Sequence, residues 1–273
     1  MIATFKLLLV MQGVDRVVRT LHTTAPNVME KGMGEKELTG RIVIITGGAG
    51  GVGSTVAKRW LDAGASVLIV DHRQETLDSW LSENSVAGWR VALFAADLTS
   101  EEGATAMIHA AATAFGRQPD TLIHLVGGFA MAAVEDENAT RAWASMMEVN
   151  LNSSFQCYRA MLPALRSRGG GWIVGMSSRV MNNPGARISA YAASKAGLAA
   201  LTSSLSAEVR SANIHVNLIV ASTIDTPANR ESMGADKASD WVSADDIADT
   251  TMYLCSEQAR SVYGATLEVY AKV

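Results

Sequence analysis

The sequence has little cysteine: Cys157 and Cys255 are the only two among 273 residues. They lie too far apart in the chain for a Cys-x-x-Cys redox motif or a closely spaced zinc-binding pair, so we predict no metal site. Unpaired cysteines usually behave as small apolar residues, and we interpret both as part of the core. This cysteine usage fits a reducing compartment, and we predict a cytoplasmic location.

Charged residues are also scarce, at 18% of the chain, and the net charge is −4. No basic patch stands out along the sequence, which argues against nucleic acid as a partner. Long apolar stretches are missing as well, because the run at residues 7–11 is far too short to cross a membrane. The 48% of hydrophobic residues is instead enough for a large core, so we predict a folded protein without membrane association.

The first 38 residues form a separate segment in this interpretation. Arg16, Arg19 and the scarcity of acids before Glu30 faintly resemble an organelle transit peptide. The plainer interpretation, which we favour, is a flexible leader or a stretch of upstream codons before an internal start.

From residue 41 onward, short β-branched runs alternate with longer helical patterns. Runs that are apolar throughout are typical of strands covered on both faces, and the alternation predicts right-handed crossovers between parallel strands. We therefore predict a three-layer, doubly wound α/β Rossmann fold with a parallel, seven-stranded sheet, in a single domain over residues 39–273. The predicted strands are residues 42–45, 67–70, 91–94, 122–126, 172–174, 214–220 and 265–269, and the clearest helices are residues 54–63, 101–115, 140–165, 190–210 and 244–256.

A glycine-rich turn at residues 46–53 lies directly after the first predicted strand and opens a helix. Gly47 permits the tight turn, while Gly51 and Gly53 allow close approach of backbone to pyrophosphate and of helix to sheet. The helix N-terminus then presents unpaired N–H groups and a favourable dipole to the phosphates. The turn therefore predicts a dinucleotide site.

Asp71 closes the second predicted strand, where a carboxylate can accept hydrogen bonds from the adenosine ribose and would repel a 2′-phosphate. Arg73 is close enough in sequence to soften that preference. We therefore predict NAD(H) as the preferred cofactor, with NADP(H) possible.

Tyr191 and Lys195 are four residues apart on a predicted helix, so they project from one face. A free phenol has a pKa of about 10, and a nearby ammonium lowers the pKa toward the range useful for proton transfer. Ser178, 13 residues before Tyr191, could hold a substrate oxygen meanwhile. Taken alone, the pair is as readily an ordinary surface pair, because two residue types at one spacing carry little information.

In combination these motifs resemble the short-chain dehydrogenase/reductase family over about residues 38–270. The turn matches the family's T-G-x-x-x-G-x-G pattern, and Asp97-Leu98 matches the pair that touches adenine. The resemblance implies catalytic roles for Asn150, Ser178, Tyr191 and Lys195, with Tyr191 as the acid and base. It also implies cofactor binding by Gly47, Gly51, Val52, Gly53, Asp71, Asp97, Leu98, Gly127, Tyr191, Lys195 and Thr226.

Two departures from the family pattern stand out. The chain has His124-Leu125-Val126-Gly127 where the family has Asn-Asn-Ala-Gly, and we interpret His124 as a structural residue rather than a catalyst. The segment from Thr226 to Trp241 is short and locally similar to dihydropteridine reductases, although those enzymes lack the residue that corresponds to Ser178.

These features favour an NAD(P)(H)-dependent oxidoreductase that interconverts a hydroxyl and a carbonyl on a small molecule. Two alternatives stay open: a dihydropteridine-reductase-like activity, and a catalytically silent dinucleotide-binding sensor or scaffold. The family resemblance also implies a homodimer or homotetramer, formed through the small-residue helices at residues 140–165 and 190–210.

Overall fold

One sheet of eight strands organises the part of the chain that the computed structural model describes, residues 19–20, 37–84 and 90–272. The strands are β1 (Arg19–Thr20), β2 (Ile42–Thr46), β3 (Ser66–Asp71), β4 (Val91–Ala95), β5 (Thr121–His124), β6 (Gly171–Ser178), β7 (Ile214–Ala221) and β8 (Thr266–Val269). Their order across the sheet is β1-β4-β3-β2-β5-β6-β7-β8. β2 to β8 pair in parallel, which confirms the predicted seven-stranded parallel sheet. The two-residue β1 adds an antiparallel edge beside β4, and the rest of the predicted leader up to residue 36 lies outside the described residues.

Helices cover both faces of the sheet. They are α1 (Gly51–Asp62), α2 (Gln74–Glu83), α3 (Glu101–Phe115), α4 (Ala139–Met146), α5 (Ser153–Ser167), α6 (Ser189–Val209), α7 (Pro227–Met233) and α8 (Ala244–Leu254). Residues of α3, α5 and α6 form one core with the sheet, and residues of α1, α2 and α8 form the other. The chain is therefore the three-layer α/β arrangement that the alternating pattern predicts.

The local sequence accounts for most of these boundaries. β2 and β7 are buried along their whole length, as expected of apolar runs with helices on both sides. Ser100 caps α3 by accepting a hydrogen bond from the Gly103 amide, and α8 opens with a capping box between Ser243 and Asp246. Cys157 and Cys255 are free and buried, as predicted.

The predicted helix at residues 140–165 is wrong in one respect, because it is not continuous. α4 and α5 are joined by a π-helical turn, Met147–Asn152, which holds an additional residue and widens the helix locally. Helical periodicity alone does not reveal such an insertion, since the apolar pattern runs on through it.

The strand order reverses between β2 and β5. Crossovers from β2 lead outward to β3 and β4, whereas those from β5 lead the other way to β6, β7 and β8. Thr46 and His124, the last residues of the two strands, are paired in register. In open α/β sheets, the carboxyl ends of strands at such a reversal leave a crevice in which ligands bind.

No helix in the described ranges is long and apolar enough to cross a membrane.

Candidate active site

The glycine turn has a backbone that larger side chains could not adopt. Gly47 has a φ of +65°, and a Cβ on Gly53 would lie 2.1 Å from the Gly47 carbonyl oxygen. α1 begins after Gly50 without a side-chain cap, so its first amides have no partner within the helix. Val52 packs against the core, and its contribution to a ligand would come from its backbone. The turn therefore offers N–H groups at the carboxyl end of β2.

A cavity of about 520 Å³ opens beside this turn. It lies where the strand order reverses, and residues from the ends of β2, β3, β4 and β5 line it. Five of the predicted cofactor-binding residues are among them: Gly47, Asp71, Asp97, Leu98 and Gly127. The glycine cradle and this lining fit the adenosine half of a dinucleotide.

Asp71 is held at the cavity by its neighbour in sequence. Its Oδ1 accepts hydrogen bonds from the His72 backbone N–H at 2.9 Å and lies 3.1 Å from His72 Nδ1. Both contacts use one carboxylate oxygen, so the side chain keeps acceptor capacity for a ribose diol. The same cavity is also lined by His72, Arg73 and Thr76. The sequence analysis considered only Arg73 and did not predict a place in the site for the other two.

The loop after β4 forms another part of the cavity lining. Asp97 Oδ1 accepts from the Thr99 amide at 3.0 Å and from the Thr99 hydroxyl at 2.7 Å, which fixes the turn into α3. Leu98 is buried. At the other end, the Thr226 side chain lies 3.5 Å from the position that a Cβ on Gly51 would occupy. Thr226 also caps α7 by accepting from the Asn229 amide.

Ser178, Tyr191 and Lys195 meet at the end of β6 and the start of α6. The Ser178 side chain lies close enough to Tyr191 to lower the pKa of its phenol. Lys195 Nζ lies 5.9 Å from the centre of the Tyr191 ring and donates to the Met176 carbonyl at 3.0 Å. Ser177, by contrast, is buried and donates to the Lys195 carbonyl. Of the two adjacent serines, Ser178 is therefore the one beside the phenol.

The pKa of the phenol differs from the sequence-based expectation. Burial raises the pKa of Tyr191, and the Ser178 side chain acts in the opposite direction. Burial also lowers the pKa of Lys195 to about 8. Lys195 does not contribute the lowering of the Tyr191 pKa that we expected, and its ammonium is directed to the Met176 carbonyl rather than to the phenol oxygen.

Asn150 joins the π-helical turn to the loop after β5. Its Oδ1 accepts from the Gly128 amide at 2.8 Å, and its Nδ2 donates to the Gly128 carbonyl at 3.1 Å and to Ser194 Oγ at 3.0 Å. A Cβ on Gly127 would lie 2.9 Å from Asn150 Oδ1 and 3.2 Å from Lys195 Nζ. Gly127 therefore belongs both to the cavity and to the surroundings of Lys195.

His124 is a buried structural residue, as predicted. Its Nδ1 lies 2.8 Å from Thr46 Oγ1 and its Nε2 lies 3.3 Å from Ser153 Oγ. Burial lowers the pKa of His124 to about 3, and the nearby charge of Lys195 adds to this effect. A neutral imidazole thus connects β2, β5 and α5 directly beneath the site.

Several residues of this network have no sequence motif of their own. Ser194 and Gly128 hold Asn150, and Met176 receives Lys195 through its backbone carbonyl. Only Ser194 carries a signal, since it immediately precedes Lys195 on the same helix. Among the described residues, no group of histidine, cysteine and acidic side chains is arranged to hold a metal ion.

Comparison with known proteins identifies relatives of this chain. The family model described as short chain dehydrogenase matches residues 41–237. The chain is 29% identical over 245 residues to 2,5-dichloro-2,5-cyclohexadiene-1,4-diol dehydrogenase of Sphingobium indicum, which covers 85% of the chain and 95% of that protein. It is 30% identical over 246 residues to 3beta-hydroxysteroid dehydrogenase 1 of Eggerthella lenta, with coverage of 85% and 93%.

A solved structure has the same architecture. A 7 alpha-hydroxysteroid dehydrogenase in complex with NADH and 7-oxo glycochenodeoxycholic acid superposes with a TM-score of 0.78 and 27% identity. The match covers 86% of the chain and 94% of that structure.

Proposed function

The chain belongs to the short-chain dehydrogenase family, and from this premise we propose that it interconverts a hydroxyl and a carbonyl on a small molecule with Tyr191 as acid and base. Named dehydrogenases among its relatives support an NAD(P)-dependent oxidoreductase acting on CH–OH groups. The observation that carries the proposal is the position of Gly127, which lines the cavity and also packs against Asn150 Oδ1 and Lys195 Nζ. A dinucleotide in that cavity would lead directly to the Ser178–Tyr191 pair.

The residues fit a nicotinamide dinucleotide. Gly51, Val52 and Gly53 would face the pyrophosphate with their amides, Asp71 the adenosine ribose, Asp97 and Leu98 the adenine, and Thr226 with Lys195 the nicotinamide end. When bound, the nicotinamide ring supplies or accepts the hydride.

The proton belongs to the protein side of the reaction. In alcohol oxidation, Tyr191 as the phenolate would accept the hydroxyl proton while the carbinol carbon loses a hydride; in ketone reduction, the neutral phenol of Tyr191 would donate its proton to the oxygen. Ser178 holds that oxygen by a hydrogen bond. Burial lowers the pKa of Lys195 to about 8, and its ammonium, 5.9 Å from the centre of the Tyr191 ring, would stabilise negative charge that develops on the phenol oxygen during proton transfer. Asn150 holds the neighbouring loop in place through Gly128.

Replacing Tyr191 with Phe tests this assignment. The variant loses the acid but keeps the ring, so we expect turnover to fall by about 10³-fold or more while NADH binding changes little. Initial rates with a panel of alcohols and NAD⁺, together with NADH fluorescence titration, measure the two effects. Tyr253→Phe is the matched control, because Tyr253 is exposed on α8. Undiminished turnover in Tyr191→Phe would exclude the proposed acid.

We also propose NAD(H) as the preferred cofactor, supported by the position of Asp71 at the cavity. Repulsion between the Asp71 carboxylate and a 2′-phosphate should make NADH bind about tenfold more tightly than NADPH. Side-by-side titrations measure the ratio, and Asp71→Asn should reduce it. Tighter binding of NADPH to the unmodified protein would refute this preference. A cytoplasmic location stays a prediction.

A further inference from the structure

Three segments follow β5, β6 and β7 at the edge of the sheet where Tyr191 lies: residues 125–138, 179–188 and 222–243, which we call the rim segments. The first contacts the site directly, since the Phe129 ring packs edge-on against the Tyr191 ring with a centroid distance of 5.0 Å. The second leads into α6 just before Tyr191, and the third contains Thr226. The first two rim segments therefore adjoin Tyr191, one through Phe129 and the other through the start of α6.

The rim segments expose large apolar side chains. Of the seven most exposed large hydrophobic residues in the described part of the chain, four belong to the rim segments. The other three are spread over α4, α5 and α8. Exposed apolar side chains of this size are available to contact an apolar ligand. The four are Phe129, at 61% exposure, Met131, Val134 and Met233.

The rim segments carry a net negative charge. They contain seven carboxylates against four basic side chains. The carboxylates are Glu135, Asp136, Glu137, Asp225, Glu231, Asp236 and Asp240, and the basic residues are Arg179, Arg187, Arg230 and Lys237.

Two of the basic side chains are already committed to carboxylates. Arg187 Nη2 lies 2.8 Å from Asp136 Oδ2, and Arg230 pairs with both oxygens of Asp225 at 2.5 and 2.6 Å. The backbone also fixes the position of Arg187. The φ of Arg187 is +66°, in the left-handed region, and the Arg187 carbonyl accepts a hydrogen bond from the Ala132 amide at 2.8 Å.

Two further cations near the site are directed elsewhere. The Arg179 guanidinium lies 5.8 Å from the centre of the Tyr270 ring, beyond the end of β8 and two strands away from β6. Lys195 is buried and donates to the Met176 carbonyl. Within the described residues, the rim segments thus combine exposed apolar side chains with two arginines, Arg187 and Arg230, that are already paired with carboxylates.

We propose that the substrate is uncharged and apolar around its reacting carbon, a neutral alcohol or the matching ketone, and that the rim segments select against carboxylates and phosphates near that carbon. This inference rests on the proposed function and adds the chemical class of the substrate. Desolvation of Phe129, Met131 and Met233 drives binding, while the negative charge of the rim opposes an anion.

Matched ligands test the proposal. Cyclohexanol, 4-hydroxycyclohexanecarboxylate and 4-aminocyclohexanol share a ring and a hydroxyl but differ in charge, and 1-phenylethanol with its para-carboxylate extends the comparison to an aromatic. For each we would measure kcat/KM with NAD⁺, and the affinity of the corresponding ketone for the NADH complex by calorimetry. We expect the neutral compound to exceed its anionic counterpart by about tenfold or more in both measurements. Preference for an acid or an amine, or failure of every neutral compound to bind, would overturn the proposal.

Two variants separate the apolar and electrostatic contributions. Phe129→Ser should lower kcat/KM for the neutral alcohols and leave NADH affinity unchanged. Met131→Lys should narrow the discrimination against the carboxylates, whereas Met131→Gln, which is polar but uncharged, should not. If Met131→Lys leaves the discrimination unaltered, the electrostatic part of the proposal is wrong. Loss of turnover in Tyr191→Phe reports on the proposed function independently, because it does not depend on which ligand is preferred.

Discussion

At the scale of single residues, the site is built from titratable groups withdrawn from water. His124 and Lys195 are both buried beside the end of β5, and burial disfavours the charged form of each. Lys195 retains a proton at neutral pH, whereas His124 does not. The two residues therefore place one cation in this region instead of two.

This burial predicts a contribution of His124 to acid sensitivity. Its folded pKa of about 3 lies below its ordinary value of 6.5, so the unfolded chain binds a proton that the folded chain excludes. Stability must then fall as pH decreases from 6.5 toward 3, by at most about 1.4 kcal/mol per pH unit. When unfolding in urea is measured between pH 7 and 4.5, the free energy of unfolding of His124→Asn should fall less steeply with decreasing pH than that of the unmodified protein. Parallel pH curves for the two proteins would contradict this assignment.

Motifs whose residues lie close together in the sequence could be predicted, whereas contacts between distant segments of the chain could not. Tyr191 and Lys195 share a face of α6 because they are four residues apart, whereas Ser178, at the end of β6, was identified by its 13-residue interval in the family resemblance. Asn150 bonds to Gly128 and Ser194, which are 22 and 44 residues away, and no local pattern encodes those pairs. The prediction that the pKa of Tyr191 is lowered was wrong for the same reason. That pKa depends on the burial of the phenol and on which acceptor Lys195 bonds to, and neither can be read from a local pattern.

At the scale of elements, close packing of β6 against α5 limits what β6 can contain. A Cβ on Gly175 would lie 2.0 Å from the Tyr158 hydroxyl oxygen, and Tyr158 is buried against the sheet. Tyr158 cannot move aside without displacing neighbours in a filled core. Glycine at this position is therefore required by packing, although it lies in the middle of a strand.

We expect Gly175→Ala to destabilise the protein by about 3 kcal/mol. Denaturant unfolding followed by circular dichroism measures this change. Gly185→Ala is the control, because a Cβ there would meet only Ile188, at 3.8 Å, and its effect should stay within about 0.5 kcal/mol. Similar free energies of unfolding for the two variants would show that α5 can shift enough to accommodate a Cβ at position 175.

The sequence predicted helices and strands correctly where a single hydrophobic periodicity ran through the whole element. The run of residues 101–115 and the helix α3 coincide because a capping serine and a left-handed Gly116 bound the pattern. The predicted strand at residues 122–126 ends early, at His124, since the chain leaves the sheet there to form the site. The π-helical turn was missed because it changes hydrogen bonding without changing hydrophobicity.

At the scale of the whole molecule, one outer face remains apolar. A groove of about 460 Å³ runs between the π-helical turn with α5 and the outer side of α6. Phe155, 46% exposed, lies in it with Leu151 and Leu201. This is the pair of helices that the family resemblance implies as a subunit contact, and self-association stays a proposal.

Sedimentation velocity tests that proposal. We expect the unmodified protein to sediment as a dimer or larger assembly and Phe155→Glu to sediment as a monomer, because a carboxylate would be buried without a partner. Ser79→Glu adds the same charge on α2, on the opposite face of the sheet, and should leave the assembly intact. A monomeric unmodified protein would contradict the proposal.

The π-helical turn also bears on how such a chain can change in length. Deleting one residue from Met147–Asn152 would allow an ordinary α-helix to close across the gap, with better hydrogen bonds than before. A deletion between Asn150 and α5 would rotate Asn150 and the preceding part of the helix by about 100° relative to α5, so that Asn150 could no longer face Gly128. At this turn, the number of residues therefore matters as well as their identity, because one deletion would both regularise the helix and break the contact between Asn150 and Gly128.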